Sequence, residues 1–247
     1  MILSILMFLA WGSYLNSLGY RLLHLNSFFQ RRSFCPSCKK IIAWYDNLPI
    51  VSWFNLRGQC RSCKQPISWL YPFIEIISTL LFALLYNYTE AHYFPAYFIF
   101  FSALIVTIRT DLDQMLISRY VTLYLVPIAY LATVYNQLPL SCSMAIIGSL
   151  FGYFLLWCAK TISKALLGQD GMGQGDLELL AMIGAFTGPL GCWVALTIGS
   201  FLGTIITLII MAIRQQRIVK IPFGPYLAAG AIFFVLLQPA CISYFSI

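Results

Sequence analysis

Two sets of side chains in this sequence have types and spacing suited to chemistry. The first is a cysteine tetrad, Cys35-Pro-Ser-Cys38 followed by Cys60-Arg-Ser-Cys63. Two C-x2-C knuckles offer four thiolates in two tight turns, a donor set that suits tetrahedral Zn²⁺. The interval between the knuckles is slightly longer than in most zinc ribbons. Lys39, Lys40, Arg61 and Lys64 flank them and would offset the negative charge of a four-thiolate centre. The rival reading is a disulfide framework, which a reducing compartment disfavours. With all four positions taken by thiolates, a zinc ion here is expected to fold a small domain rather than to catalyse. Cys142, Cys158, Cys192 and Cys241 stand singly and read as small apolar residues.

The second set is drawn from only eight carboxylates: Asp46, Glu75, Glu90, Asp111, Asp113, Asp170, Asp176 and Glu178. A carboxylate near lipid is costly, so its presence points to function. Asp111 stands at the end of an apolar run, and Asp176 follows Gly171-Met-Gly-Gln-Gly at the start of another. Gly173 and Gly175 would let that loop turn tightly and approach a bound peptide. Two carboxylates from different helices at one depth make the arrangement of an aspartic protease. Like charges held close share one proton. The ionised member would act as general base on water, and the protonated member would polarise the carbonyl and serve the leaving amine. The alternative is that these aspartates are helix caps or surface charges. Asp113 lies two residues from Asp111 and faces elsewhere on a helix. Asp170 reads as a loop residue, and Glu75 as a structural pairing partner. His24 and His92 fall on opposite sides of the expected membrane, which leaves a histidine-based nucleophilic site poorly supported.

These residues must be carried by membrane helices. The chain is 60% hydrophobic and 9% charged, far from the quarter charged that soluble domains carry. The expected fold is all-α: a polytopic bundle of about eight spans, near 1–20, 71–88, 93–108, 120–135, 145–158, 177–186, 190–213 and 222–244. A small cytoplasmic zinc-binding domain, 21–70, would separate the first span from a peptidase bundle, 71–247. All 15 Lys and Arg then fall on one side, which the positive-inside rule makes the cytoplasm, with both termini outside. The net charge of +7 is therefore a topology signal with some affinity for anionic lipid, not a nucleic-acid footprint. The first apolar run has its basic residues after it rather than before it, so it reads as a retained span, with Gly12, Ser13 and Asn16 packed against other helices.

The ordered motifs resemble the type IV prepilin peptidases, membrane aspartic proteases of the GxGD type. The likeness runs through Gly12-Ser-Tyr-Leu-Asn16, the first knuckle, Trp44-Tyr-Asp-Asn-Leu-Pro49, Ser52-Trp53, Leu56-Arg-Gly58, the second knuckle and Tyr71-Pro-Phe-Ile-Glu75. It ends on Asp111-Leu-Asp113 and Gly171 to Gly188. The resemblance implies cleavage of the leader of type IV prepilins or pseudopilins after a glycine, at the cytoplasmic face of a bacterial inner membrane. It implies Asp111 and Asp176 as the catalytic pair. It also implies S-adenosylmethionine-dependent methylation of the new N-terminus, an activity associated with the zinc domain. Asp46, Asn47 and Glu75 are candidates toward the methyl donor. Four positions depart from the family pattern. Ser118-Arg119 stands where Pro-Asp is usual, Glu178 where Lys is usual, and Asp46 where Glu is usual. The rival readings are a peptidase without methylation and a non-enzymatic carrier or scaffold. A carrier would place carboxylates near the bilayer midplane, whereas these cluster at one edge.

Overall fold

A computed structural model describes residues 2–23, 33–168, 172–215 and 221–245, without the side chains of 167 and 238–245. His24, Asp170 and Gly171 lie outside the described residues. The described chain is helical with no β-strand, only isolated bridges at Phe34–Ile41 and Gln59–Pro66. It forms two compact units, Met1–Leu84 and Leu85–Ile247.

In the first unit, α1 (Ile2–Leu23) and the first turns of α3 (Leu70–Tyr88) flank the cysteine segment, which holds a 3-10 turn (Trp44–Asn47) and the short α2 (Val51–Asn55). Lipid supplies little drive for helices to associate, so small and polar residues must make the contact. Gly12 is buried where a Cβ would strike the Ser78 hydroxyl. Asn16, 1% exposed, donates through Nδ2 to the Tyr71 carbonyl over 3.0 Å. Both residues do what their composition led one to expect, and Ser13 is half-buried beside them.

In the second unit, α7 (Gln174–Arg214) packs along α6 (Cys142–Leu167), α8 (Gly224–Phe245) and the short α5 (Leu125–Val134), and α4 (Phe94–Gln114) packs on α8. The Phe100 ring of α4 stacks on Phe186 of α7 with centroids 4.6 Å apart. The α6–α7 contact is backbone to backbone. A Cβ on Gly148 would meet the Gly184 carbonyl, and one on Gly184 would meet the Gly148 carbonyl.

Five described helices are long and apolar enough to cross a membrane: Ile2–Leu23, Leu70–Tyr88, Phe94–Gln114, Cys142–Leu166 and Gln174–Arg214. The expected eight segments differ from these five in three places, the first being 222–244, which is α8 and whose fully described part, Gly224–Leu237, is shorter than a span. The segments 177–186 and 190–213 are halves of α7, kinked where Gly188 takes φ 73° ahead of Pro189. Proline has no N–H to bond the preceding turn, and only glycine adopts that φ without strain. In 120–135 only the ten residues of α5 are helical. At 1.5 Å per residue they span about 15 Å, half a hydrocarbon core.

Candidate functional site

The cysteine segment repeats one turn twice. In the first knuckle Cys35 N–H donates to the Lys40 carbonyl at 3.0 Å, and Lys39 N–H to the Cys35 carbonyl at 2.9 Å. In the second, Cys60 N–H donates to Gln65 at 2.9 Å, and Lys64 N–H to Cys60 at 3.0 Å. The residue after each second cysteine takes a left-handed φ, 59° at Lys39 and 58° at Lys64, which closes the turn. The four Sγ atoms of Cys35, Cys38, Cys60 and Cys63 all lie within 4.8 Å of one another and could hold a metal ion. Backbone N–H groups of Cys63 and Ser62 aim at Cys60 and pull its thiol down to about 6, while desolvation and the neighbouring sulfurs push the Cys63 thiol up to about 11, so without a metal the thiols favour one thiolate over four.

The candidates toward the methyl donor are placed differently. Asp46 gives both carboxylate oxygens to Arg61, at 2.7 Å from Nε and 2.6 Å from Nη2. Because Arg61 follows Cys60, this fork ties the 3-10 turn to the second knuckle. Its hydrogen bonds hold the Asp46 carboxyl below the usual carboxylate range. Glu75 is buried and accepts from the Ile50 backbone N–H at 2.7 Å. Ile50 sits at φ 61°, ψ −55°, an unfavourable conformation for a β-branched residue, and the Glu75 contact helps to hold it there. Asn47 is exposed. The geometry therefore makes Asp46 and Glu75 internal braces of this segment.

In the second unit Asp111 lies in the last turn of α4 and is 4% exposed. Its Oδ2 accepts from the Gly224 N–H at 2.8 Å, where α8 begins. A helix start presents free N–H groups and a positive dipole end, so this is a fitting seat for a carboxylate. Gly224 is tight as well as polar: a Cβ there would lie 2.8 Å from Asp111 Oδ2 and 3.2 Å from Ile117 Cδ1. Asp176 is half-buried in the first turn of α7 and accepts from Gly173 N–H at 3.2 Å. Its role as a cap, weighed from sequence, is thus real. Gly175 presses on the other side of Ile117, where a Cβ would come 2.7 Å from Ile117 Cβ. Ile117 consequently lies between the starts of α7 and α8, and Asp111 is close enough to Asp176 for their charges to act on each other. Asp113 instead pairs with Arg109 at 3.3 Å, one helical turn back. Glu178 receives Arg119 at 3.0 Å.

Sequence reading missed Gly224, Ile117 and the Arg119–Glu178 pair. A signal existed for the first, since Pro222-Phe-Gly-Pro225 puts a small residue between two prolines at a helix start.

Residues 6–89 match the Bacterial Peptidase A24 N-terminal domain, and residues 98–208 match the Type IV leader peptidase family. A prepilin leader peptidase/N-methyltransferase of Aeromonas hydrophila is 36% identical over 201 residues, which cover 80% of this chain and 68% of the relative. A Pseudomonas aeruginosa protein of the same name is 34% identical over 204 residues, 79% of this chain and 68% of the relative. A type 4 prepilin-like proteins leader peptide-processing enzyme of Escherichia coli O78:H11 is 32% identical over 208 residues, 84% and 76%. This chain belongs to the type IV leader peptidase family. No solved structure matches it. Within this leader peptidase, the N-terminal match holds the tetrad and Glu75, and the second match holds Asp111, Arg119, Asp176 and Glu178. Gly224 lies beyond both matched regions, though it touches Asp111 directly.

Proposed function

We propose that this protein cleaves the leader of type IV prepilins or pseudopilins with Asp111 and Asp176 as its catalytic pair, and methylates the amine so exposed. The observation that supports the peptidase reading is that the chain leaving Asp111 packs through Ile117 on Gly175, one residue before Asp176, while Gly224 bonds Asp111 and touches Ile117, in a leader peptidase chain. Two interacting carboxylates share a proton more readily than both ionise. One, ionised, removes a proton from water as its oxygen bonds to the scissile carbonyl carbon. The other, protonated, polarises that carbonyl. The C–N bond then breaks and the leaving amine takes up a proton. Each aspartate accepts one backbone N–H, Asp111 from Gly224 and Asp176 from Gly173, so either member of the pair has a seat for the charged form.

The chain is a multi-pass inner-membrane protein. With α5 and the two halves of α7 each counted as a crossing, the placement of every Lys and Arg supports an arrangement with the site on the cytoplasmic side and both termini outside. The substrate's apolar helix enters sideways between spans, so that its cleavage site meets the aspartates at the inner interface. The division into a first span, a cysteine domain over 21–70 and a membrane peptidase from 71 onward is part of this reading.

For the tetrad the metal is zinc. Tetrahedral coordination at 2.3 Å puts thiolate sulfurs about 3.8 Å apart, and Cys35 and Cys63 Sγ are 3.8 Å apart. Zinc would hold a segment too short to bury a core of its own. The methyl donor, S-adenosylmethionine, supplies the transferred methyl group.

The test is incubation of the purified protein with a prepilin and S-adenosylmethionine, reading leader loss and N-terminal mass. D111N and D176N should each abolish cleavage while the inserted protein persists. Full cleavage by either variant removes the reading. Leader loss without the mass increment of a methyl group would leave a peptidase alone.

A further inference from the structure

The chain leaving α4 does more than connect. After Asp111 the helix closes at Met115, whose left-handed φ of 54° turns the backbone and whose N–H returns to the Asp111 carbonyl at 2.9 Å. Residues 115–119 then meet the first turn of α7 at two points. Ile117 abuts Gly175, and Arg119 Nη2 reaches Glu178 Oε1 at 3.0 Å. These two points bracket Asp176 on either side in sequence. Neither Arg119 nor Glu178 has a role in the proposed chemistry, yet the Glu178 side chain is only 6% exposed and Arg119 comes 59% exposed from the loop to meet it. A carboxylate that deep is strongly destabilising without a cation, so the pair holds this strap against α7.

We propose that the Arg119–Glu178 ion pair is a positioning lock, which sets the first turn of α7, and so Asp176, against the strand of chain that leaves Asp111. What the lock requires is opposite charge at the two positions, not which position carries which sign. Arg119 and Glu178 act through Asp176 and touch no reacting atom. Because the aspartates must converge on one water and one carbonyl, a displacement of the order of 1 Å reduces turnover about a hundredfold.

The inference rests on the peptidase reading, and charge reversal separates the two. The full chain in nanodiscs is assayed for prepilin cleavage per inserted molecule, with kcat and KM resolved. R119E and E178K should each lower kcat at least tenfold with KM nearly unchanged. R119E/E178K should recover most of that loss, and R119K should stay close to the parent. If a single reversal fails to insert, R119Q and E178Q with the neutral pair R119Q/E178Q replace it. Each single should then lower kcat more than the neutral pair does, since the neutral pair leaves no unpaired charge. Singles with parental kcat, or a reversed double no better than its worse single, overturn the lock. D111N and D176N run alongside: loss of cleavage in them with no effect of reversal defeats only the lock, whereas their retained cleavage defeats the peptidase reading itself.

Discussion

The Gly224 N–H donates to Asp111 Oδ2 over 2.8 Å, so a residue at the start of one helix seats the carboxylate at the end of another. A methyl group at Gly224 would come 2.8 Å from that oxygen, too close to stand without movement. Gly224→Ala is expected to shift Asp111 and reduce cleavage about 10- to 100-fold with little loss of inserted protein. Parental activity in a prepilin assay would show that the seat has slack.

The tetrad is expected to carry about one zinc per chain. Cys35→Ser, Cys38→Ser, Cys60→Ser and Cys63→Ser should each lose most of it, measured by elemental analysis of the purified protein. Methylation should fall further than cleavage in the same variants, because the proposed dyad lies in the other compact unit. Full metal retention in any of the four would exclude that thiolate as a ligand.

Asp46 provides a pH test. Arg61 lowers its carboxyl below the ordinary value of 3.8 by hydrogen bonding. A depressed folded value means the contact stabilises above that ordinary value, and its contribution is lost as pH falls through the folded value. Arg61 is solvent-screened, so the effect is small. Asp46→Asn should raise amide exchange across Trp44–Asn47 about two- to fivefold at pH 7, and the difference should shrink progressively as pH is lowered below 3.8. An effect that stays constant down to the acid unfolding limit would mean the contact is not charge-assisted.

The close approach of α6 and α7 predicts a large stability effect from a small change. Gly184→Val drives branched carbons into the Gly148 carbonyl. Its expected cost is about 1–3 kcal/mol, read as a lower unfolding temperature in detergent. Gly148→Val should behave alike, and the double variant should cost less than the two singles added together, because they disturb one contact. Strict additivity would mean the two glycines do not share that contact.

Much of the protein is legible in local sequence. Abundant apolar runs and scarce charge dictate membrane helices, since a backbone in lipid must bond within its own segment. The cysteine spacing specifies two knuckles, because the turn that presents both sulfurs is closed by residues immediately beside them. Gly12 and Asn16 announce a helix contact by being small and polar in an apolar stretch. Hydropathy is less informative about α5, where an apolar window is only partly helical, and about α7, where it reports two segments and the backbone makes one kinked helix at Gly188-Pro189.

What tertiary structure alone decided is the set of partners. Asp46 forks onto Arg61, and Glu75, read from the sequence as a structural pairing partner, bonds the N–H of the strained Ile50. Glu178, which stood out in the sequence only as a departure from the family pattern, is the partner of Arg119. Asp111 depends on Gly224, a residue 113 positions away. Composition and periodicity set a helix and its buried face through neighbours three or four residues off. A hydrogen bond or ion pair between helices depends on how whole elements pack, and no local pattern records that distance.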